Sequence, residues 1–301
     1  MSISLAPHPN PLPAGGERES DAEWRTGEGR VHGVAEIGFA RRDGATRLAH
    51  LYQRDPLRVL FPGADGDPAA LAVIVTTSGG LVAGDRLDIA VDIGPGAVAH
   101  VTGSAAEKLY RSTGATTEIR QHLSVESGGW LEFLPPEAIL FDGTRLCRNT
   151  HVELTGDAGL LGGGIIVFGR RARGEAFTHG LLHEVWEVRR DGALVWGDAL
   201  RVDGDVAAII EDPACFDGAA ACATLILAPP SGDPKAYIED ARAAQQRTSC
   251  IRAGITAVGG LLVARWLGEP PALRRAYADL ACHLRAAAMG LPARLPRLWH
   301  V

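Results

Sequence analysis

The sequence predicts a mainly β protein in which stacked sheets come first and a small helical part comes last. Between residues 31 and about 202, short apolar runs alternate with polar residues and are separated by glycine-rich turns. This pattern is typical of strands that expose one face. After residue 228 the spacing of apolar residues changes, and Pro271–Met289 shows a helical period. Strands outnumber helices so heavily that a layout of alternating strands and helices is excluded.

The clearest predicted strand is Arg86–Ile93, where polar and apolar residues alternate until Gly94-Pro95-Gly96 breaks the pattern. A hairpin is predicted over residues 184–196, because Asp191-Gly192 is a favoured two-residue turn. Further predicted strands cover residues 71–77, 97–101, 118–125, 130–134, 152–155, 160–168 and 222–227.

The best predicted helix is Pro271–Met289, which begins after Pro270 and ends at Gly290. A shorter segment, residues 234–247, also has helical composition. The apolar face of the longer helix is expected to hold Leu273, Tyr277, Leu280 and Leu284.

The chain divides into a short extension and one large domain. Residues 1–30 are rich in proline and glycine without an apolar period, which predicts disorder. Residues 31–301 then form a domain with a β-rich part, 31–228, and an α-containing part, 229–301.

Composition excludes several classes of function. A net charge of -6 argues against a nucleic-acid or anionic-membrane surface. No apolar run reaches the roughly 18 residues that span a bilayer, and no export segment is visible, so a cytoplasmic location is expected. The five cysteines form no CxxC pair, which favours reduced thiols.

Motifs of common enzymes are absent. The sequence contains neither a nucleotide-binding GxxxxGK[ST] loop nor a GxSxG nucleophile turn. Gly79–Gly84 has the wrong spacing for a dinucleotide loop and reads as a turn. His179 and His183 would lie roughly 13 Å apart along a strand, too far to share one ion. Neither catalytic residues nor a high-affinity metal site are therefore predicted.

Several motifs do stand in a fixed order along the chain, and together they resemble the urease accessory protein D family (UreD, also called UreH). The resemblance covers about residues 31–301. The motifs are Gly79–Asp85, Glu107–Ser112, Leu131–Phe141, Phe168–Phe177 and Leu295–Trp299.

The resemblance implies a fold and a function. The family fold is a β-helix-like stack of sheets with a few C-terminal helices. Its members bind the urease apoprotein and a UreF-type accessory protein, and through the latter a UreG-type GTPase that carries nickel. The resemblance implies a non-enzymatic role in nickel insertion, with nickel in transit through an internal tunnel and no permanently bound cofactor.

Residues are carried over from the family position by position. The implied metal-route candidates are Asp85, Glu175 and Asp198. We expect them to lie along one hydrated path, because weak carboxylate ligands let an ion move on. One departure stands at Gly162-Gly163-Gly164, where the family usually has an aromatic residue and then an acid at position 164.

Other residues carry the motifs or are expected at a partner interface. Arg297 and Trp299 are the interface candidates, with Trp299 as an apolar anchor. The motif-supporting residues are Gly84, Lys108, Tyr110, Arg111, Glu132, Gly169, Arg170 and Gly174.

Two other readings stay open. The chain could be a binding module that holds its partners without guiding metal, in which case the acids have local roles in turns and ion pairs. Less favoured is a β-rich metal-dependent hydrolase, because no cluster of nucleophile and base has usable spacing.

Overall fold

The computed structural model describes residues 30–63, 66–230, 233–245 and 251–300. The disorder expected for residues 1–30 thus falls on residues outside the described part, apart from Arg30.

The described residues form strands over most of the chain and the long helix near its end, as the sequence predicted. The strands are β1 (His32–Arg42), β2 (Ala45–Arg54), β3 (Leu57–Leu60), β4 (Ala70–Thr76), β5 (Arg86–Ile93), β6 (Val98–Gly103), β7 (Glu107–Leu109), β8 (Thr117–Val125), β9 (Trp130–Phe133), β10 (Ala138–Leu140), β11 (Arg145–Leu154), β12 (Gly159–Phe168), β13 (Leu181–Arg190), β14 (Ala193–Asp203), β15 (Ala221–Ala228), β16 (Ile251–Val258) and β17 (Leu261–Gly268). The helices are α1 (Val206–Glu211), α2 (Ile238–Gln245) and α3 (Pro270–Met289), with 3₁₀ turns at Arg171–Arg173, Pro234–Tyr237 and Arg297–His300.

The strands form two sheets. The first, here sheet A, has seven strands in the order β14-β13-β11-β8-β5-β1-β2. The second, sheet B, has ten, with the order β16-β17-β15-β12-β9-β6-β4-β3 and a side branch in which β10 pairs with β12 and β7. Neighbouring strands in the centre of both sheets are parallel, and the antiparallel pairs lie towards the ends.

The chain coils between these sheets. Each coil contributes a strand to sheet B and then a strand to sheet A, and the next coil adds its strands in parallel alongside. The resulting solenoid-like stack confirms the β-helix-like fold that the family resemblance implied.

Hairpins extend the coils. The predicted turn at Asp191-Gly192 is confirmed, with positive φ at both residues, as a type I′ hairpin requires. Two hairpins were not predicted: β1–β2, which turns at Asp43-Gly44, and β16–β17, which turns at Gly259-Gly260. The second places two strands inside the part of the chain that was expected to contain the helices.

The two sheets and the helices make three layers with two apolar cores. One core lies between sheets A and B and includes Leu123, Phe133 and Val188. The other lies between sheet B and α3 and includes Trp130, Leu225 and Trp266. Sheet B is therefore covered on both faces, which is why its central strands are almost continuously apolar.

Helix α3 confirms the helical prediction at the C-terminal end. Its predicted apolar face, including Leu273 and Leu284, is fully buried against sheet B, and Gly290 ends the helix with a positive φ. No helix in the described ranges is long and apolar enough to cross a membrane.

A buried charge network fastens α3 to sheet B. Glu132 of β9 accepts hydrogen bonds from Arg285 Nε of α3 at 2.9 Å and from Trp130 Nε1 at 3.1 Å. Its other oxygen lies 2.7 Å from His100 Nδ1, and Arg285 also reaches Asp67 at 3.0 Å. Burial raises the pKa of Glu132, but His100 and Arg285 outweigh this effect and lower it to about 2.

Replacing this carboxylate should loosen the helical layer. We expect Glu132→Gln to lower the free energy of unfolding by about 3–5 kcal/mol at pH 7, because Arg285 then loses a buried partner. Because the folded pKa lies below the ordinary value of 4.5, the ionised form stabilises the fold above that value and the benefit fades as pH falls towards about 2. Urea unfolding across this range should show a shallower pH dependence in the variant.

The matched control is Glu118→Gln, which breaks the exposed pair with Arg120 and should cost less than about 1 kcal/mol. If the Glu132→Gln chain were as stable as this control, the buried charge network would not be what holds α3 to sheet B.

Candidate functional site

Four of the sequence motifs meet at one corner of the solenoid. Leu81, Leu109, Leu140 and Phe168 follow one another in parallel register, one from each of four motif segments. All four side chains are buried. The residues just after them therefore also come side by side, and we call this surface the motif corner.

Aromatic and guanidinium groups pack at the surface of the motif corner. The rings of Tyr110 and Phe141 meet edge to face, with 4.9 Å between their centroids. The Arg170 guanidinium lies over the Phe141 ring at 4.3 Å. Together with Arg111 and Glu175 they line a surface pocket of about 450 Å³.

Asp85 has a local structural role at this corner. The residue is 2% exposed. Its carboxylate accepts hydrogen bonds from the backbone N–H of Val82 at 2.9 Å and of Val31 at 3.1 Å. Gly84, just before it, has a positive φ and lies against the Arg30 side chain. The carboxylate thus closes the glycine turn that leads into β5.

Glu175 also has partners within the motif corner, one in its own loop and one in the loop after β10. It accepts a hydrogen bond from the backbone N–H of Asp142 at 2.7 Å and forms an ion pair with Arg170. The hydrogen bond from Arg170 lowers the pKa of this carboxyl group below its ordinary value. Arg170 is thereby held in place over Phe141.

The remaining basic residues of the corner face solvent. Arg111 is 67% exposed at its side chain and lies 3.5 Å from Asp142. Lys108, Arg171 and Arg173 are exposed as well. The closely spaced arginines Arg170, Arg171 and Arg173 therefore all belong to the motif corner.

Asp198 occupies a different environment, on the inner face of sheet A. Trp196 and Leu200, two residues away on either side in β14, pack in the core between the sheets, so Asp198 shares their face. It pairs with Arg265 Nη2 of sheet B at 2.7 Å. The Asp198 side chain is 24% exposed and that of Arg265 is 55% exposed, so this pair lies where the space between the sheets opens to solvent.

No hydrogen bond or ion pair in the described residues joins Asp85, Glu175 and Asp198, and they share no partner. Two of the route candidates thus belong to the motif corner, and the third belongs to the space between the sheets.

The space between the sheets also contains polar side chains that the sequence analysis did not single out. Arg148 Nη2 of β11 donates to both carboxylate oxygens of Glu184 of β13 at 2.8 Å, and both residues are less than 9% exposed. Thr150 donates to Gln121 at 2.8 Å. We call the inward-facing set Glu107, Gln121, Arg148, Thr150, Glu184 and Asp198 the polar band.

A cavity of about 290 Å³ lies at one end of the polar band. Its lining includes Glu107, Gln121 and Arg148. Thr76 donates to Glu107 at 2.6 Å. Burial raises the pKa of Glu107, against the opposing effects of this hydrogen bond and of the Arg148 charge. The band therefore runs across the core from this cavity to the open edge at Asp198.

A sequence signal for the band did exist. Leu146, Arg148, Thr150 and Val152 alternate in phase, so a strand that buries the leucine and the valine must also bury the arginine. Glu184 could not be assigned as its partner, because that pairing depends on the register between coils.

In the described residues no three His, Cys, Asp or Glu side chains converge as a metal-binding group. His179 lies near Asp142, whereas His183 lies near Cys147.

In the C-terminal tail, the structure corrects the role that was expected for Trp299. Trp299 was expected to be an exposed partner anchor, but its side chain is 3% exposed. Its ring stacks on Tyr277 of α3 at 5.7 Å, and Nε1 donates to the Leu134 carbonyl at 3.2 Å. The apolar ring is buried within its own chain, and of the two interface candidates only Arg297 is exposed.

The coiled sheets, the motif corner and the polar band define a β-solenoid protein whose sequence motifs meet at one surface. Comparison with known proteins gives its family. Residues 31–300 match the model of the UreD urease accessory protein family.

Relatives agree along nearly the whole chain. A urease accessory protein UreD of Magnetococcus marinus is 44% identical, covering 90% of this chain and 94% of the relative. One from Methylobacterium sp. strain 4-46 is 42% identical over 85% of this chain and 89% of the relative. UreD 3 of Methylorubrum extorquens is 38% identical over 96% and 95%.

The chain belongs to the UreD family of urease accessory proteins. It is accordingly an accessory protein of urease maturation and not an enzyme.

Two glycines of the motif corner allow a matched comparison. A Cβ on Gly169 would overlap the Glu175 carbonyl, and its φ is 89°, whereas Gly174 has a φ of 71° but open space around it. We expect Gly174→Ala to cost about 1 kcal/mol for the left-handed backbone alone. Gly169→Ala should cost at least about 2 kcal/mol more, measured by chemical denaturation. Equal losses would contradict the close approach at Gly169.

The tail assignment gives a second prediction. Trp299→Ala should lower the free energy of unfolding by about 3–5 kcal/mol, because a buried indole is removed. The control is Val258→Ala, because Val258 is 47% exposed. This substitution should lower the free energy of unfolding by less than about 0.5 kcal/mol. Thermal unfolding compares the two. A Trp299→Ala chain of wild-type stability that failed to bind partners would restore the anchor function.

Proposed function

We propose that this chain guides nickel ions to the urease apoprotein through the space between its two sheets. The observation that carries the proposal is the polar band, which lines an otherwise apolar core from the cavity at Glu107 to the open edge at Asp198. Charged side chains are rarely placed in a core without a function or a partner.

The chemistry of the band suits an ion in transit. Carboxylate oxygens bind nickel(II) weakly compared with sets of imidazole and thiolate ligands, so the ion can leave each position. The carboxylates of Glu184 and Asp198 are each paired with an arginine, which limits how tightly either could hold a cation. Nickel is thus the cargo of this chain and not a resident cofactor.

The proposed partners are the urease apoprotein, a UreF-type accessory protein and, through it, a UreG-type GTPase. The motif corner supports a role in binding them, because it combines exposed Tyr110 and Val82 with several basic side chains. The proposed location is the cytoplasm. The free thiols of Cys147, Cys215, Cys222 and Cys282 are compatible with a reducing compartment.

The second candidate function is a scaffold that holds the partners without guiding metal. The observation that favours it is the local use of Asp85 and Glu175, whose carboxylates are occupied by backbone and arginine partners. The two candidates differ in what happens when the polar band is altered and the motif corner is not.

The test replaces Asp198 by leucine in the complete complex. If nickel passes this position, Asp198→Leu should lower the nickel content per urease active site several-fold while the complex still co-purifies. The matched control is Asp203→Leu on the same strand, where the carboxylate is exposed and pairs with Arg201. Metal analysis of the purified urease measures the effect. Normal nickel content in the Asp198 variant would leave the scaffold as the function.

A further inference from the structure

Among the residues that the structure describes, Arg148 is the buried cation of the polar band. It is 7% exposed and lies in the middle of sheet A, between β8 and β13. Arg265, the other guanidinium that pairs with a band carboxylate, lies at the open edge with a side chain that is 55% exposed. Arg148 therefore lies between the cavity at one end of the band and the carboxylate of Glu184.

Two carboxylates compete for the charge of Arg148. Glu184 holds it directly, through hydrogen bonds of 2.8 Å from one nitrogen to both carboxylate oxygens. Glu107 lines the same cavity as Arg148, and the Arg148 charge lowers the pKa of Glu107 against the effect of burial. The guanidinium thus bonds to one carboxylate directly and lines a cavity together with a second.

The opposite sheet leaves room at this point. Gly164 of β12 faces the pair, and a Cβ there would lie 3.5 Å from Arg148 Nη2 and 3.9 Å from Glu184 Oε1. Any larger side chain at this position would fill the space beside the ion pair. Gly164 and its neighbour Thr224 on β15 are partly exposed, and Thr224 is in register with Arg265 at the open edge.

We propose that Arg148 controls the access of divalent cations to Glu184 by acting as an exchangeable counter-charge. In the resting chain the guanidinium occupies the carboxylate. An arriving cation takes the oxygens of Glu184, and Arg148 turns into the cavity towards Glu107. When the cation leaves, the original pair forms again. Arg148 is a positioning residue in this scheme, and Glu184 is the ligand.

The physical reason for such an arrangement is the need for release. A bare carboxylate in a core of low dielectric would attract a divalent cation strongly and hold it. A guanidinium that returns to the same oxygens competes with the cation and keeps the occupancy brief. The identity of the cation as nickel rests on the proposed function, whereas the competition between Arg148 and a divalent cation does not.

The test is a titration of the purified, untagged full chain with Ni²⁺ by calorimetry. Removing the competing charge in Arg148→Met should make the tightest Ni²⁺ binding at least about tenfold stronger than in the wild type. The same variant should deliver nickel to urease more slowly, because the ion is retained. A folded Arg148→Met chain that binds Ni²⁺ no more tightly than the wild type would overturn the inference.

A double variant separates the ligand from the fold. Arg148→Met with Glu184→Gln removes both charges, which avoids an unpaired buried carboxylate and is expected to fold even where the single variant does not. Its Ni²⁺ affinity should fall to the wild-type level or below. If the double variant gained as much Ni²⁺ affinity as Arg148→Met, Glu184 would not be the ligand. If the single variant does not fold, a double variant that binds Ni²⁺ more tightly than the wild type would lead to the same conclusion.

Arg274→Met is the matched control outside the band. It removes a half-buried arginine from its pair with Glu137, at 2.9 Å, and should leave Ni²⁺ affinity unchanged. Because this titration contains no urease, it tests the competition at Arg148 separately from the proposed delivery of nickel. If Arg148→Met bound Ni²⁺ more tightly but delivered nickel to urease normally, Arg148 would still compete with the cation for Glu184. The proposed nickel route between the sheets would then be wrong.

Discussion

The parallel register between successive coils is the constraint on which the rest of this structure depends. Each coil lays its strand alongside the previous one. A residue at a given position of one coil therefore lies beside the residue at the same position of the next coil. Motifs that stand far apart in the sequence therefore assemble into one corner. The same register brings Arg148 beside Glu184, which are likewise distant in sequence.

Sheet B has to satisfy two packing partners at once, and this requirement explains its composition. One face packs against sheet A and the other against α3, so alternate residues of β12 enter two different cores. Glycine is used where the layers come closest. A Cβ on Gly163 would lie 2.7 Å from the Tyr277 hydroxyl of α3, while Gly164 faces the Arg148–Glu184 pair on the other side. The glycine run thus allows close packing on one face and leaves space on the other.

Local sequence patterns predicted many of the strands, including the alternating strand β5 and the almost fully buried strand β12. Arg86–Ile93 was predicted with the bounds that the structure shows, and α3 differs by one residue at its start. Strand β2 has no such alternation, because it is an edge strand with little burial on either face. Strand β17 was not predicted, because its apolar run has no period that separates a strand from a buried helix and it stands between two segments with helical composition.

The site could be predicted only in part, for a related reason. The motif residues were identified individually, but their convergence on one corner depends on the register between coils of unequal length. Arg148 was within reach of prediction, because it keeps the phase of buried neighbours along β11. The burial of Trp299 was not, because a short tail with one large apolar residue fits either a partner surface or the chain's own core.

The carboxylates of this chain differ in a way that burial alone does not describe. Asp85 is almost fully buried, yet its oxygens accept hydrogen bonds from two backbone amides, one in the glycine turn and one directly before β1. A cation could take those oxygens only by breaking the turn. Glu184 and Asp198 are bound mainly by guanidinium groups, which are carried on flexible side chains and can swing away while the sheets stay intact. Exchangeable partners, more than depth or charge, therefore separate the carboxylates that could pass an ion along from those that hold the fold together.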